Sequence, residues 1–173
     1  GNERRRHSLL VEIVMADRDD RIHIFSWNGG SQLKWKVTTA LDTTDIPYEF
    51  HDYDLLAVGD VDLAEPGQEI VFSDREADKI VVLNRTAGLL RAIDENLQYG
   101  DGMAVGNIYG GSEAEIIHAS RDDSWKIFYY PDDQWYGAGH ADFEQFDGVE
   151  VRMVDGVGEI IDLDRGDKIR GLD

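Results

Sequence analysis

The sequence predicts an all-β fold assembled from about four copies of one four-stranded antiparallel unit. Three observations predict it. A Glu-Ile pair inside an apolar run recurs at Glu12-Ile13, Glu69-Ile70, Glu115-Ile116 and Glu159-Ile160, at intervals of 57, 46 and 44 residues. Each copy leads through a polar, aspartate-bearing turn into a second β-rich run, the pattern of a β-hairpin. No apolar period of 3.6 residues persists along the chain, so helices are not expected.

The elements follow in order. The Glu-bearing strands are Val11–Val14, Gln68–Val71, Ala114–Ile117 and Gly158–Ile161, and their hairpin partners are Arg21–Phe25, Lys79–Leu83, Lys126–Tyr129 and Lys168–Leu172. An inner strand precedes the Glu strand at Leu55–Gly59, Gly102–Gly106 and Val149–Met153. An outer strand follows at Leu33–Val37 and Leu89–Ile93, introduced by turns rich in Asn and Gly, residues that tolerate turn conformations. Four short strands in about 45 residues, repeated, make a β-propeller blade. One blade buries only part of its apolar surface until neighbours stack on it. A β-sandwich would explain short strands but not a motif at near-constant period.

The repeats run at about 8–50, 54–97, 101–146 and 147–173 of a single region, 1–173. Both end blades are incomplete: the first lacks an inner strand and the fourth stops before its outer strand, and the stretch 3–8 could supply either missing strand but not both. Open ends leave strand edges unpaired. The expectation is therefore a segment of a larger propeller, or a ring completed by a second chain.

A length of 173 residues suits one domain. Lys and Arg number 17 against 36 Asp and Glu, a formal charge of −19. That balance argues against binding a phosphate backbone and against docking on an anionic membrane. An apolar content of 42% is too high for a disordered acidic tail. Without cysteine there are no disulfides, no thiol catalysis and no zinc–thiolate site. No run approaches the roughly 18 apolar residues of a membrane-spanning helix. Asp outnumbers Glu 24 to 12. Such a surface favours solubility in salt, and acidic loops that bind calcium give the same statistic.

Val58-Gly59-Asp60-Val61-Asp62 followed by Gly67-Gln68-Glu69-Ile70-Val71 resembles the FG-GAP or VCBS-type propeller repeat, including the blades of integrin α subunits. The longer connection Leu63–Gly67 is also similar to blades of rhamnogalacturonan lyases. The resemblance covers the chain at repeat level, with the motif specific in the second repeat and degraded elsewhere. It implies a larger propeller, an extracellular or cell-surface location, and calcium held in the loop between inner and Glu strands. Asp60, Asp62 and Glu69 match that family's first, third and closing loop positions. Ala64 departs from it at the fifth, where Glu65 would have to substitute. Calcium wants several hard oxygens from a flexible loop. The alternative is that Asp60 and Asp62 bond the amides of their own turn. The recurring Glu reads as structural, accepting from N–H groups of the preceding turn.

Asp54, Asp101 and Asp147 stand at the entrances of three inner strands. On one rim they would form a negative mouth able to hold a cation or sugar hydroxyls; otherwise they are turn residues in solvent. His51 and Tyr53 lie beside Asp54, and a His near a carboxylate can serve as a general base. Trp135-Tyr136 is the best candidate for an exposed, ligand-stacking pair, whereas Trp125 reads as packing between blades. His118, between apolar residues, reads as a buried histidine satisfied by neighbours. No phosphate loop, dinucleotide fingerprint or nucleophile elbow occurs.

The reading is a non-catalytic extracellular recognition or scaffold module, calcium-stabilised, that binds a protein or carbohydrate partner. A rival is part of a sugar-active lyase or dehydratase using His51, Tyr53 and Asp54. A third is a structural surface or filament protein.

Overall fold

Four antiparallel meanders account for the strands of the computed structural model, which describes residues 12–16, 21–27, 35–42, 46–86, 88–122, 124–140, 148–154, 157–164 and 168–172. Sheet one is β1 (Glu12–Ala16), β2 (Arg21–Trp27) and β3 (Trp35–Asp42). Sheet two is β4 (Leu56–Gly59), β5 (Glu69–Asp74), β6 (Lys79–Leu83) and β7 (Leu89–Asp94). Sheet three is β8 (Gly102–Gly106), β9 (Glu115–Ser120), β10 (Ser124–Tyr129) and β11 (Gln134–His140). Sheet four is β12 (Gly148–Val154), β13 (Val157–Asp164) and β14 (Lys168–Leu172). Strands within each sheet pair in sequence order. The all-β prediction and its antiparallel units hold. The stretch 3–8, read as able to supply one of the two missing end strands, lies outside the described residues.

The register makes the repeat visible. Gly59 opposes Glu69 and Gly106 opposes Glu115 across the first hairpin of sheets two and three. In sheet four, Arg152 opposes Glu159. The third connection of sheet three is tighter than a plain loop: Tyr130–Asp132 forms a single 3₁₀ turn that ends at a left-handed Asp133, φ 55°.

The core lies between sheets rather than inside one. Ile70, Phe72, Val81 and Leu83 of sheet two pack on Ile22, Ile24 and Phe50. Their alternate neighbours Val71, Ile80, Val82 and Ile93 pack on Met103, Ile116, Phe128 and Tyr130 of sheet three. Ile117 and Ile127 then face Ile160 on the far side. The middle sheets are covered on both faces, which is why β5 and β6 are almost continuously apolar instead of alternating. Burying each such side chain contributes roughly 1.5–3 kcal/mol.

The inner strands β4, β8 and β12 lie side by side in that order. Glycine permits the approach. A Cβ on Gly59 would collide with the Val105 side chain, and one on Gly106 would collide with that of Val151. The equivalent residue of sheet four, Arg152, instead pairs with Glu159 at 2.9 Å and is 63% exposed.

Gly59→Val and Gly106→Val should each destabilise the fold by about 1–3 kcal/mol, the range for overpacking, read from urea midpoints. Gly111→Ala, whose added carbon would meet nothing nearer than Glu113 at 3.8 Å, should leave the midpoint within error. Equal midpoints for all three variants would refute the glycine contact.

Candidate functional site

In sheets two and three the recurring Glu opens its strand immediately after a loop, and the loop turns amides toward it. The N–H groups of Val61 and Asp62 donate to Glu69 Oε2 at 2.8 and 3.1 Å. That of Ile108 donates to Glu115 Oε2 at 2.6 Å. Both glutamates are 1% exposed. Burial raises both carboxyls above their ordinary value, and the amide donors offset part of the rise. The structural reading of this motif holds in sheets two and three. In sheet four, Glu159 pairs with Arg152.

A second carboxylate fixes the opposite end of β4 and of β8. Asp54 Oδ2 accepts from the His51 amide at 2.7 Å, and its Oδ1 accepts from Arg75 Nε at 3.0 Å and the Arg75 amide at 3.3 Å. Asp101 repeats the device: Oδ2 accepts from the Gln98 amide at 2.7 Å and Oδ1 from the Arg121 amide at 3.0 Å. Both side chains are 1% exposed. Burial raises the Asp54 carboxyl, against the lowering by the His51 amide and Arg75. These carboxylates hold turns together and do not project from a rim. Asp147, the third of the set, lies outside the described residues.

The other residues near Asp54 take separate partners. His51 Nε2 lies 3.5 Å from Glu49 and 3.7 Å from Glu76. Tyr53 is 62% exposed, adopts a left-handed φ of 71°, and meets Tyr99 edge-on at 4.8 Å. Gly100, φ 94°, fills the corresponding place before Asp101.

The loop after β4 behaves as a turn. Asp62 Oδ1 accepts from the Ala64 amide at 3.0 Å and its carbonyl accepts from the Glu65 amide at 2.9 Å. The Asp60 carbonyl accepts from the Ala114 amide of the next sheet at 2.7 Å, while its Oδ1 is buried without a hydrogen-bond partner. Among the described residues, no group of three or more His, Cys, Asp or Glu is placed to share a metal ion.

A four-charge network joins sheets two and three. His118 Nε2 meets Asp101 Oδ2 at 3.0 Å. Its Nδ1 lies 3.3 Å from Glu95 Oε1, near enough to pair charges though not aligned as a hydrogen bond. Lys126 Nζ donates to the same Glu95 oxygen at 2.8 Å and lies 5.6 Å from the centre of the Trp135 ring. With His118 protonated, the four charges cancel. Burial alone would lower the His118 pKa, but Asp101 and Glu95 together outweigh it and hold it above 6.5. Burial alone would raise Glu95, but His118 and Lys126 hold it below its ordinary value. The buried histidine was legible in the sequence; its partner Glu95, from the preceding repeat, and the Lys126 that shares Glu95 were not.

Trp135 and Tyr136 face opposite sides of β11. Trp135 packs edge-on against Phe128 at 5.2 Å and lines a cavity of about 470 Å³ with Lys126, Glu95 and Asp94. Tyr136 lines another, of about 490 Å³, with Tyr109, Tyr129, Glu115 and Asp132. The two residues therefore do not form one stacking pair. Tyr109 replaces an acid in the degraded third copy of the loop, which is the only sequence signal for this cavity. Trp125 packs with Ile117, Ile127 and Ile160, as read from the sequence.

No protein-family profile matches the chain, and comparison with curated proteins and with solved structures gives no significant match.

The His118 network predicts a pH dependence. Its folded pKa is raised above 6.5, so its stabilisation is complete below pH 6.5 and is lost as pH rises through the folded pKa. The wild-type melting temperature should fall over that upper range, and His118→Gln should flatten the fall. An unchanged slope in the variant would remove His118 as its source.

Proposed function

We propose that the four meanders are consecutive blades of an FG-GAP-like β-propeller. On this reading the chain is a non-catalytic recognition or scaffold module, extracellular or at a cell surface, that binds a protein or carbohydrate partner. Further blades or a second chain complete the ring. The propeller reading is supported by the shared strand order, by the adjacent inner strands β4, β8 and β12, and by the repeated Gly–Val approach.

The observation that carries the recognition reading is the use made of the ionisable groups. Asp54, Asp101, Glu69, Glu115 and His118 are all engaged by groups of the chain itself. General acid–base catalysis needs such a group within reach of substrate. A concave surface lined by three tyrosines has the other character, since aromatic faces anchor ligands and interfaces. Arrays of glycans and peptides probed with the full chain should give saturable binding that Tyr136→Ala abolishes without lowering the melting temperature. Turnover of a polysaccharide that disappears in His51→Ala would replace this reading with the lyase or dehydratase one. Concentration-dependent assembly in sedimentation, with no array binding, would replace it with the filament one.

A calcium-stabilised loop at Asp60, Asp62, Glu65 and Glu69 is favoured by one observation, the buried and unpartnered Asp60 Oδ1. A cation there would compensate that oxygen, at the cost of re-aiming Glu69 from its two amides. On this reading, saturating calcium adds about 2.7 kcal/mol at a hundred times the dissociation constant. The melting temperature should then rise by several degrees over an EDTA control, and Asp60→Asn should abolish the rise. No shift in the wild type discards calcium and leaves the recognition reading intact.

A further inference from the structure

We infer that the tyrosine-lined cavity of sheet three takes an organic cation, the ammonium group of a lysine or quaternary amine carried by a partner, in preference to a sugar. The inference rests on the recognition reading above and names its ligand class.

Ring geometry is the first ground. Tyr129 and Tyr136 stand 6.4 Å apart with their planes inclined at 62°, and Tyr109, 58% exposed, lines the same cavity. Inclined rings make a corner. A sugar gains most by lying flat on one aromatic face, whereas a compact, rounded head group touches two faces of a corner at once. A cation within about 6 Å of such rings is attracted by their quadrupoles.

Charge is the second ground. Tyr136 Oη donates to Asp132 Oδ2 at 2.7 Å, and Tyr129 Oη donates to Glu113 Oε2 at 3.4 Å. Both phenols thus hand their protons toward carboxylates, which makes the rings more electron-rich. The Asp132 bond, followed by partial burial, keeps the Tyr136 phenol above its ordinary pKa, and partial burial followed by Glu113 does the same for Tyr129. Both therefore remain neutral phenols at physiological pH. Among the described residues the cavity is lined by Asp132 and Glu115 and by no basic side chain. A net charge of −19 draws cations toward the whole surface.

The same pair of sheets already joins cations to aromatic rings. Arg91 lies 4.1 Å from the centre of the Tyr130 ring, and Lys126 lies 5.6 Å from that of Trp135. Those contacts are closed within the chain. Among the described residues, none places a cation over Tyr109, Tyr129 or Tyr136.

The test titrates the full chain with choline, with its neutral carbon isostere 3,3-dimethylbutan-1-ol, and with methyl glycosides, followed by NMR shifts of the tyrosine rings. Choline should bind at least about fivefold more tightly than the isostere, as a desolvated cation–π contact requires. Tyr109→Leu and Tyr136→Leu should each weaken choline by a similar factor while keeping the wild-type melting temperature, and Asp132→Asn should reduce the salt dependence of binding. Equal affinity for the isostere overturns the cation and leaves an apolar recognition cavity. Glycoside binding without choline binding overturns the ligand class and upholds the recognition reading. Failure of every probe on folded protein, together with blank glycan and peptide arrays, overturns both.

Discussion

The interaction on which the structure depends is a buried carboxylate accepting backbone N–H groups. A loop between two strands leaves amides pointing away from any ladder, and a buried amide without a partner costs about as much as a lost hydrogen bond. Glu69 and Glu115 answer that need at one end of the inner strands, and Asp54 and Asp101 answer it at the other. Each carboxylate is disfavoured by its own burial, and its pairing with several donors is what makes the burial tolerable. The loops are thereby fixed in shape, and with them the positions of Tyr53, Tyr99 and Tyr109.

Much of this fold can be read in the chain because the repeat is written in local chemistry. The Glu-Ile pairs mark four strands, and apolar runs at β5 and β6 announce sheets covered on both faces. The role of Glu69 was legible for the same reason, since its donors lie only seven and eight residues upstream. Asp54 and Asp101 were not, because their deciding partners Arg75 and Arg121 lie 21 and 20 residues downstream. Aspartate before a strand reads as a solvated turn until a second hairpin folds over it. The tyrosine cavity was hidden in another way: Tyr109 comes from the loop before β9, Tyr129 from β10 and Tyr136 from β11. Nothing in their spacing joins them without the register of the sheet.

Acidic residues therefore fall into two groups with different physics. Those in the clamps are withdrawn from solvent and bound at fixed geometry. Those on the surface act mainly through the summed field. The field is long-range and screened by salt, while the clamps are short-range and much less screened. A surface built this way can attract a positive partner without loosening the loops that present the binding residues.

The placement of the core also sets the size of the unit that unfolds together. Each carboxylate clamp of sheets two and three closes within its own repeat and the short connection before it, but Ile70 and Val71, adjacent in sequence, are buried against different neighbours. Removing one middle sheet would strip apolar cover from the sheets on both sides. Hydrogen exchange by local opening follows such cooperative blocks, so sheets two and three would release their slowest amides as one block. A protease could nick an exposed turn of a middle repeat, yet detaching that repeat would require two apolar interfaces to part at once.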